Sequence, residues 1–282
     1  MVELRIAFQG EYGAYSDAAA REFPGNIVDG KGITNVVGFE TFDEVLSQVS
    51  NGWSQYAILP VENSIEGTVG QSIDAITNSD LHAIDELYLK IEHCLIGTGR
   101  LEDVDTVYSH PQALGQCSKF IKENNLKSVP TYDTAGSVKI ISELRKENCA
   151  AIASKRASDL YHVPVIKDGI ADNSNNFTRF LIFSKDVEVL DPSHKNDKTS
   201  IIFSVKHEAG ALYQILKEFH DNDINLTKIE SRPNKNTNWE YNFFVDFLGH
   251  YSNSKIESVL KKISENTLFL KVIGSYPVAD LD

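Results

Sequence analysis

TFDEVLSQVSNGWSQYAILPV, residues 41–61, sets a helix directly against a strand and so decides how the neighbouring segments are read. Thr41 followed three residues later by Glu44 is a capping box, in which each side chain satisfies a backbone N–H of the other. Phe42, Val45, Leu46 and Val49 then recur at helical spacing, and Gly52 stands where a helix can close. Tyr56 to Val61 is a short apolar run that suits a buried strand.

The same alternation extends outward from this stretch to about residues 1–184. A strand opens the chain at RIAF, a helix is expected near 68–77, and TVYS (106–109) leads into PQALGQCSKFIKEN (111–124), read as one helix. In that helix Leu114, Cys117 and Ile121 face inward while Gln112 and Gln116, four apart, share another face. Asp133 or Thr134 caps a further helix through Leu144, and CAAIAS is followed by KRASDLY. Strands alternating with helices predict an α/β sheet.

Residues 185–198, with DVEVLDPSHKNDK as their body, lose periodicity and gather Asp, Lys, Pro and Ser, which reads as a linker. Beyond it the order is strand TSIIFSV, helix ALYQILKEFHDN, strand INLTKIESR, strand WEYNFFVDF, helix SKIESVLKKISE and strand FLKVIG. That βαββαβ order is ferredoxin-like, so residues 199–282 form a separate domain.

Bulk properties narrow the function. The formal net charge is −13, which repels nucleic acid and anionic membranes. No apolar run approaches the roughly 20 residues of a membrane span. The first residues, MVELRIAFQG, enter a strand pattern with no basic leader, so a cytoplasmic protein is expected. Cys94, Cys117 and Cys149 lack zinc-like spacing, so neither metal nor disulfide nor any other cofactor is expected. GNIVDGK (25–31) fits the start of a phosphate loop by chance, since strand-like ITNVV follows where a helix is required. Ser109-His110 are adjacent residues without a nucleophile elbow, and His82, His93 and His162 lack clustered spacing, so these histidines are assigned ordinary structural roles.

Several strands end in short polar residues as the chain turns toward a helix: FQGEYGAYS (8–16), PVENSIEGT (60–68), YSHPQALGQ (108–116), YDTAGS (132–137) and AIASKRA (151–157). Each turn alone suits an N-cap, but together they argue for one ligand cleft at the carboxyl ends of the strands. A further strand, NNFTRFLIF (175–183), carries an arginine in its apolar run. Alternation puts Arg179 on one face with Phe177, Leu181 and Phe183, and Thr178 on the other with Phe180 and Ile182. A lone strand arginine ordinarily snorkels to water.

These motifs together resemble the prephenate dehydratase family. The matching segments are GEYGAYS (10–16), PVENS (60–64), SHPQALGQC (109–117), DNSNNFTRF (172–180), GAL (210–212) and ESRP (230–233), in order along nearly the whole chain. Ala14 and Ser137 stand where the family commonly has Thr or Ser and Ala. No chorismate mutase segment is expected ahead of the first strand.

The resemblance implies a two-lobed, periplasmic-binding-protein-like catalytic region, with lobe 1 about 1–76 and 160–184 and lobe 2 about 77–159. It also implies a C-terminal ACT regulatory domain and assembly as a homodimer or homotetramer. The reaction implied is conversion of prephenate to phenylpyruvate with loss of carbon dioxide and water. Thr178 is then the catalytic donor, with Glu62 as an alternative acid if burial raises its pKa. Arg179 is expected to grip a substrate carboxylate. Tyr15, Ser16, Asn63, Ser64, Ser109, Gln112, Gln116 and Phe180 complete the cleft. Gly210, Ala211, Leu212, Glu230 and Ser231 are where L-phenylalanine is expected as effector. Arogenate as substrate, or an amino-acid sensor of the same fold without chemistry, remain the alternatives.

Overall fold

The computed structural model describes residues 4–23, 34–185, 196–233 and 241–280. The chain divides into two compact units, Met1–Ser72 with Leu87–Phe180, and Ile73–Glu86 with Leu181–Asp282. The GNIVDGK segment and residues 186–195 of the expected linker lie outside the described residues.

From Leu4 onward the elements run β1 (Leu4–Gln9), α1 (Tyr15–Glu22), β2 (Thr34–Phe39), α2 (Phe42–Ser50), β3 (Tyr56–Asn63), β4 (Gly67–Thr68), α3 (Gly70–Asn78), β5 (His82–Lys90) and β6 (Cys94–Gly97). They continue as β7 (Thr106–Ser109), α4 (Pro111–Gln116), α5 (Ser118–Glu123), β8 (Lys127–Pro130), α6 (Thr134–Leu144), β9 (Cys149–Ala153), α7 (Lys155–Tyr161), β10 (Val165–Lys167) and β11 (Phe177–Ser184). The unit boundary falls within α3, β5 and β11.

Helix α2 forms as its sequence demands. Thr41 Oγ1 accepts the Glu44 N–H, and Phe42, Val45, Leu46 and Val49 are buried. Burial of each such side chain contributes about 1.5–3 kcal/mol. One lobe is the sheet β2-β1-β3-β11, in which β1 runs parallel to both β2 and β3. The other is the five-stranded sheet β10-β6-β9-β7-β8. The chain crosses between lobes at residues 91–93 and returns at 170–176. These crossings lie side by side, since Ile91 N–H donates to Asn176 O at 2.8 Å and Ile170 N–H to His93 O at 3.1 Å.

Two local expectations change. The helix read over 111–124 is two helices, α4 and α5, because Cys117 between them leaves helical geometry at φ −116° and ψ 19°. Asp172 causes the break: its N–H donates to Gln116 O at 2.7 Å, and its carboxylate accepts from Ser118 Oγ at 2.7 Å and Lys119 N–H at 3.0 Å. A carboxylate supplied from far along the chain thus caps α5. Strand β10 pairs antiparallel with β6 through Val165 and Lys167, so it belongs to the five-stranded sheet although it follows residue 160.

The second unit contains β12 (Asp197–Ser204), α8 (Ala211–Asp221), β13 (Leu226–Pro233), β14 (Tyr241–Leu248), α9 (Ser254–Glu265) and β15 (Phe269–Pro277). The four strands pair antiparallel in the order β13-β14-β12-β15 expected of a ferredoxin-like fold. Ile256, Val259, Leu260 and Ile263 turn one stripe of α9 onto a core that includes Ile201, Phe203, Ile215, Phe219 and Phe247. Strand β12 begins at Asp197, inside the stretch read as linker. Lys198 tolerates burial there because its Nζ donates to Glu86 Oε1 at 2.6 Å.

Next to Glu86, burial raises the Asp85 carboxyl to about 6, against the opposing hydrogen bond from Glu86 N–H. A carboxyl whose folded pKa exceeds its unfolded value holds its proton more tightly when folded. Its contribution to stability is therefore present in acid and is lost as pH rises from about 4 through 6. Asp85→Asn is expected to raise the unfolding free energy at pH 8 by about 1–2 kcal/mol and to change little at pH 4. Urea unfolding at the two pH values checks this, and an equal gain at both would refute it.

Candidate active site

A cavity of about 590 Å³ opens between the two lobes of the first unit. It sits at the carboxyl ends of β1, β3, β7 and β8, where an open α/β sheet places ligands. Gln9, Tyr15, Ser16, Asn63, Gln112, Gln116, Thr178 and Phe180 line it, as do His93, His110, Tyr132 and Thr134. Seven of the residues singled out in the sequence are thus brought together: Tyr15, Ser16, Asn63, Gln112, Gln116, Thr178 and Phe180.

Four others lie off the wall. Strand alternation turns Arg179 away from Thr178, and Arg179 pairs with Glu62 at 3.8 Å, with 4 % of the guanidinium side chain exposed. Arg179 is not among the residues that line the cavity. Ser109 is fully buried and donates to Ile152 O at 2.5 Å. Ser64 Oγ accepts from Phe177 N–H at 3.0 Å, tying β3 to the start of β11. Burial pushes the Cys117 thiol up to about 12, so it is no ready nucleophile beside the cleft.

Asn63 organises the centre of the site. Its Oδ1 accepts the N–H groups of Ile65 and Glu66, each at 3.0 Å, an arrangement that fixes the tight turn into β4. Its Nδ2 donates to Asn176 Oδ1 at 2.7 Å, to Thr178 Oγ1 at 3.0 Å and to Phe177 O at 3.2 Å. Thr178 Oγ1 is therefore an acceptor toward Asn63. Its own hydrogen has no acceptor among the described residues and is left for whatever occupies the cavity.

The electrostatics around the cavity are those of neutral donors and helix ends. No Lys or Arg is among the described residues that line it. At one side α1 begins at Tyr15, with free first-turn N–H groups. Its buried Asp17 accepts from Arg21 Nε at 2.8 Å and Arg156 Nε at 2.5 Å, so two guanidiniums offset one carboxylate behind the helix start. The loop leading to α1 touches the β9–α7 turn closely. Ser154 Oγ donates to Gly13 O at 2.7 Å, and a Cβ on Gly13, at φ +88°, would lie 3.1 Å from Ala157 Cα. Only glycine suits that approach.

His93 and Asn176 are functional candidates that sequence patterns did not single out. Tyr15 Oη lies 2.9 Å from His93 Nδ1, His93 Nε2 lies 2.9 Å from Gln116 Oε1, and Asn176 Nδ2 donates to the same Oε1 at 3.1 Å. Burial pushes the His93 imidazole below its ordinary value, against the hydrogen bond to Gln116. Asn176 stands in the quoted DNSNNFTRF segment and so was within reach; a lone histidine with no spaced partner gave no signal. His110, also on the wall, caps α4 through Nδ1 accepting Gln112 N–H at 3.2 Å.

In the second unit Gly210 caps α8 at φ 85°, and Ala211 and Leu212 line a cavity of about 170 Å³ with Val205, His207, Tyr241 and Phe243. Glu230 and Ser231 lie on β13 opposite Phe244 and Phe243 and do not line that cavity.

Comparison with known proteins fits this layout. Residues 6–188 match the profile of the prephenate dehydratase family, and residues 199–265 match that of the ACT domain. A prephenate dehydratase of Methanocaldococcus jannaschii is 38% identical over 270 residues, covering 95% of this chain and 96% of that protein. The structure of an Arthrobacter aurescens prephenate dehydratase in complex with L-Phe superimposes with a TM-score of 0.88 at 28% identity, over 99% of this chain and 92% of that one. A structure described as a novel type of quorum quenching acylase, GqqA, gives a TM-score of 0.86 at 29% identity over 98% of both chains. With the family profile spanning most of the first unit's sequence and the ACT profile following it, the chain belongs to the prephenate dehydratase family and carries an ACT domain after its catalytic region.

Proposed function

We propose that the cavity between the lobes converts prephenate to phenylpyruvate and that L-phenylalanine acting on the ACT domain controls it. The observation that carries the reading is the Thr178 hydroxyl, held as an acceptor by Asn63 and so free to donate into the cavity. Aromatisation drives the reaction. The protein has to hold a dianion, assist departure of the ring hydroxyl, and let the ring carboxylate leave as carbon dioxide. A positioned donor contributes about 10²–10⁴ in rate. A threonine hydroxyl is too weak an acid to give up its proton outright, so Thr178 acts by hydrogen bonding the departing oxygen, which takes the proton that makes it water from solvent.

Neutral donors suit the carboxylate that leaves. A guanidinium paired with it would stabilise the ground state as much as the transition state. The first-turn N–H groups of α1 with Ser16, and Gln112 with Thr134 opposite, supply donors without fixed positive charge. Arg179 takes the role of holding Glu62 behind the strand. Arg179→Lys is therefore expected to leave KM for prephenate within about threefold and to lower the unfolding free energy by about 1–2 kcal/mol, since lysine cannot reproduce the guanidinium fork. Steady-state kinetics with thermal unfolding checks this, and a tenfold rise in KM at unchanged stability overturns it.

The domain division read from sequence, 1–184 catalytic, 185–198 linker and 199–282 ACT, is retained as part of this proposal. It is supported by family matches that end at 188 and resume at 199. Self-association through the ACT domain, as a homodimer or homotetramer in the cytoplasm, is supported by exposed Tyr213 on α8 and Ile229 on β13. Incubating purified protein separately with prephenate and with arogenate, and following the aromatic product, tests the activity. Phenylpyruvate from prephenate is expected, with the rate falling on addition of L-phenylalanine. Product from arogenate alone, or from neither, would reject the substrate.

A further inference from the structure

The hydrogen bonds around Thr178 form one chain whose direction is set at a single point. Backbone N–H groups only donate, so Ile65 and Glu66 require that Asn63 present Oδ1 to them, which turns Nδ2 toward Asn176 and Thr178. Asn176 then accepts with Oδ1, and its own Nδ2 must donate onward to Gln116 Oε1 at 3.1 Å. Gln116 Oε1 is thereby an acceptor, so the imidazole nitrogen that meets it at 2.9 Å, Nε2 of His93, has to carry a hydrogen. Each amide orientation follows from the one before it, back to two backbone groups.

His93 stands where it can enforce that order. It is 2 % exposed, Asn176 is fully buried, and the two lie on the paired crossings between the lobes, joined by Ile91 N–H to Asn176 O. Gln116 comes from α4 of the other lobe. If His93 instead carried its hydrogen on Nδ1, Gln116 would have to turn over. Its Nε2 would then meet the Asn176 Nδ2 donor, and its oxygen would meet Glu66 Oε1, which its Nε2 now approaches at 3.4 Å. Both contacts would set like against like.

We propose that His93 is a positioning residue: as the Nε2–H tautomer it locks the Gln116 amide and so holds, from its far end, the chain that Asn63 directs and that keeps the Thr178 hydroxyl turned into the cavity as a donor. Gln116 Nε2 is left to donate toward Glu66 Oε1 at 3.4 Å. Tyr15, whose ring meets the imidazole edge-on with centroids 5.7 Å apart, shares its one hydroxyl hydrogen between His93 Nδ1 at 2.9 Å and Glu92 O at 2.8 Å. The proposal rests on the reading of Thr178 as the donor.

Two substitutions separate positioning from packing. A glutamine amide reaches the place of Nε2, whereas an asparagine amide reaches only that of Nδ1. His93→Gln is expected to keep kcat within about threefold of the parent, and His93→Asn to lower it at least about tenfold with KM changed less than about threefold. Equal kcat in the two variants, or a loss carried by KM, overturns the proposal. Selective ¹⁵N-histidine labelling of the unaltered protein reads the tautomer directly, with the His93 signals assigned through their contact with the Tyr15 ring. A hydrogen on Nε2 is expected, and a hydrogen on Nδ1 overturns the assignment even if both variants fail to fold. Full activity in Thr178→Ala would remove the donor reading while leaving the tautomer as assigned, so the two failures are distinguishable.

Discussion

Thr178→Ala is expected to lower kcat on prephenate by about 10²–10⁴-fold while KM moves less than about threefold, because a donor used only as the hydroxyl departs is lost and ground-state contacts are not. Thr178→Ser keeps the hydroxyl on the same carbon and is expected to retain most of the rate. The side chain is small, and Asn63 Nδ2 keeps Asn176 Oδ1 and Phe177 O as acceptors, so neither variant should lower the thermal midpoint by much. The geometry behind this is specific. Asn63 Nδ2 occupies the acceptor side of Oγ1 at 3.0 Å, so the hydroxyl has one direction left in which to donate. Steady-state kinetics on the two variants decides it: a loss in KM alone, or an alanine variant as active as serine, would refute the assignment.

Asn63→Asp is the second large effect, and it reverses polarity without changing shape. The carboxylate still accepts from Ile65 and Glu66, but an oxygen now faces Asn176 Oδ1, Phe177 O and Thr178 Oγ1, which lie 2.7, 3.2 and 3.0 Å from the nitrogen it replaces. The Thr178 hydrogen is drawn to the new acceptor and away from the substrate. A fall in kcat of about 10²-fold or more is expected, with a stability loss of about 1–3 kcal/mol from acceptors set against one another. Burial among acceptors raises a carboxyl pKa, and the protonated acid regains an O–H donor. The variant's kcat should therefore recover toward acid pH in a range where the parent's does not. A variant whose rate is low and flat with pH would contradict this account.

Much of this was legible in the letters because it depends on neighbours. The capping box at Thr41 and Glu44, the apolar stripe of α2 and the strand after it are local decisions, and the structure repeats them. Period-two alternation separated Thr178 from Arg179, which is why one lines the cavity and the other meets Glu62. What sequence could not supply came from partners distant along the chain. Asp172 breaks the helix at Cys117, yet nothing within a helical turn of Cys117 announces it. His93 draws its partners from Tyr15 and Gln116, 78 and 23 residues away, so spacing rules built for metal sites and dyads pass over it. The partner that Arg179 meets, Glu62 on β3, is likewise invisible until the strands are laid side by side.

Asn63 is separated from Asn176 by 113 residues and from Thr178 by 115. The strand that bears the threonine is thus laid into its sheet beside β3 only after the whole of the other lobe has been made. At ordinary rates of translation that interval is on the order of 10 s. Through it β3 exposes an edge, apart from its short pairing with β4 at Glu62 and Asn63. A nascent chain ending before residue 177 lacks β11 and with it Thr178. On the role proposed for Thr178, competence waits for the strand that seals that edge.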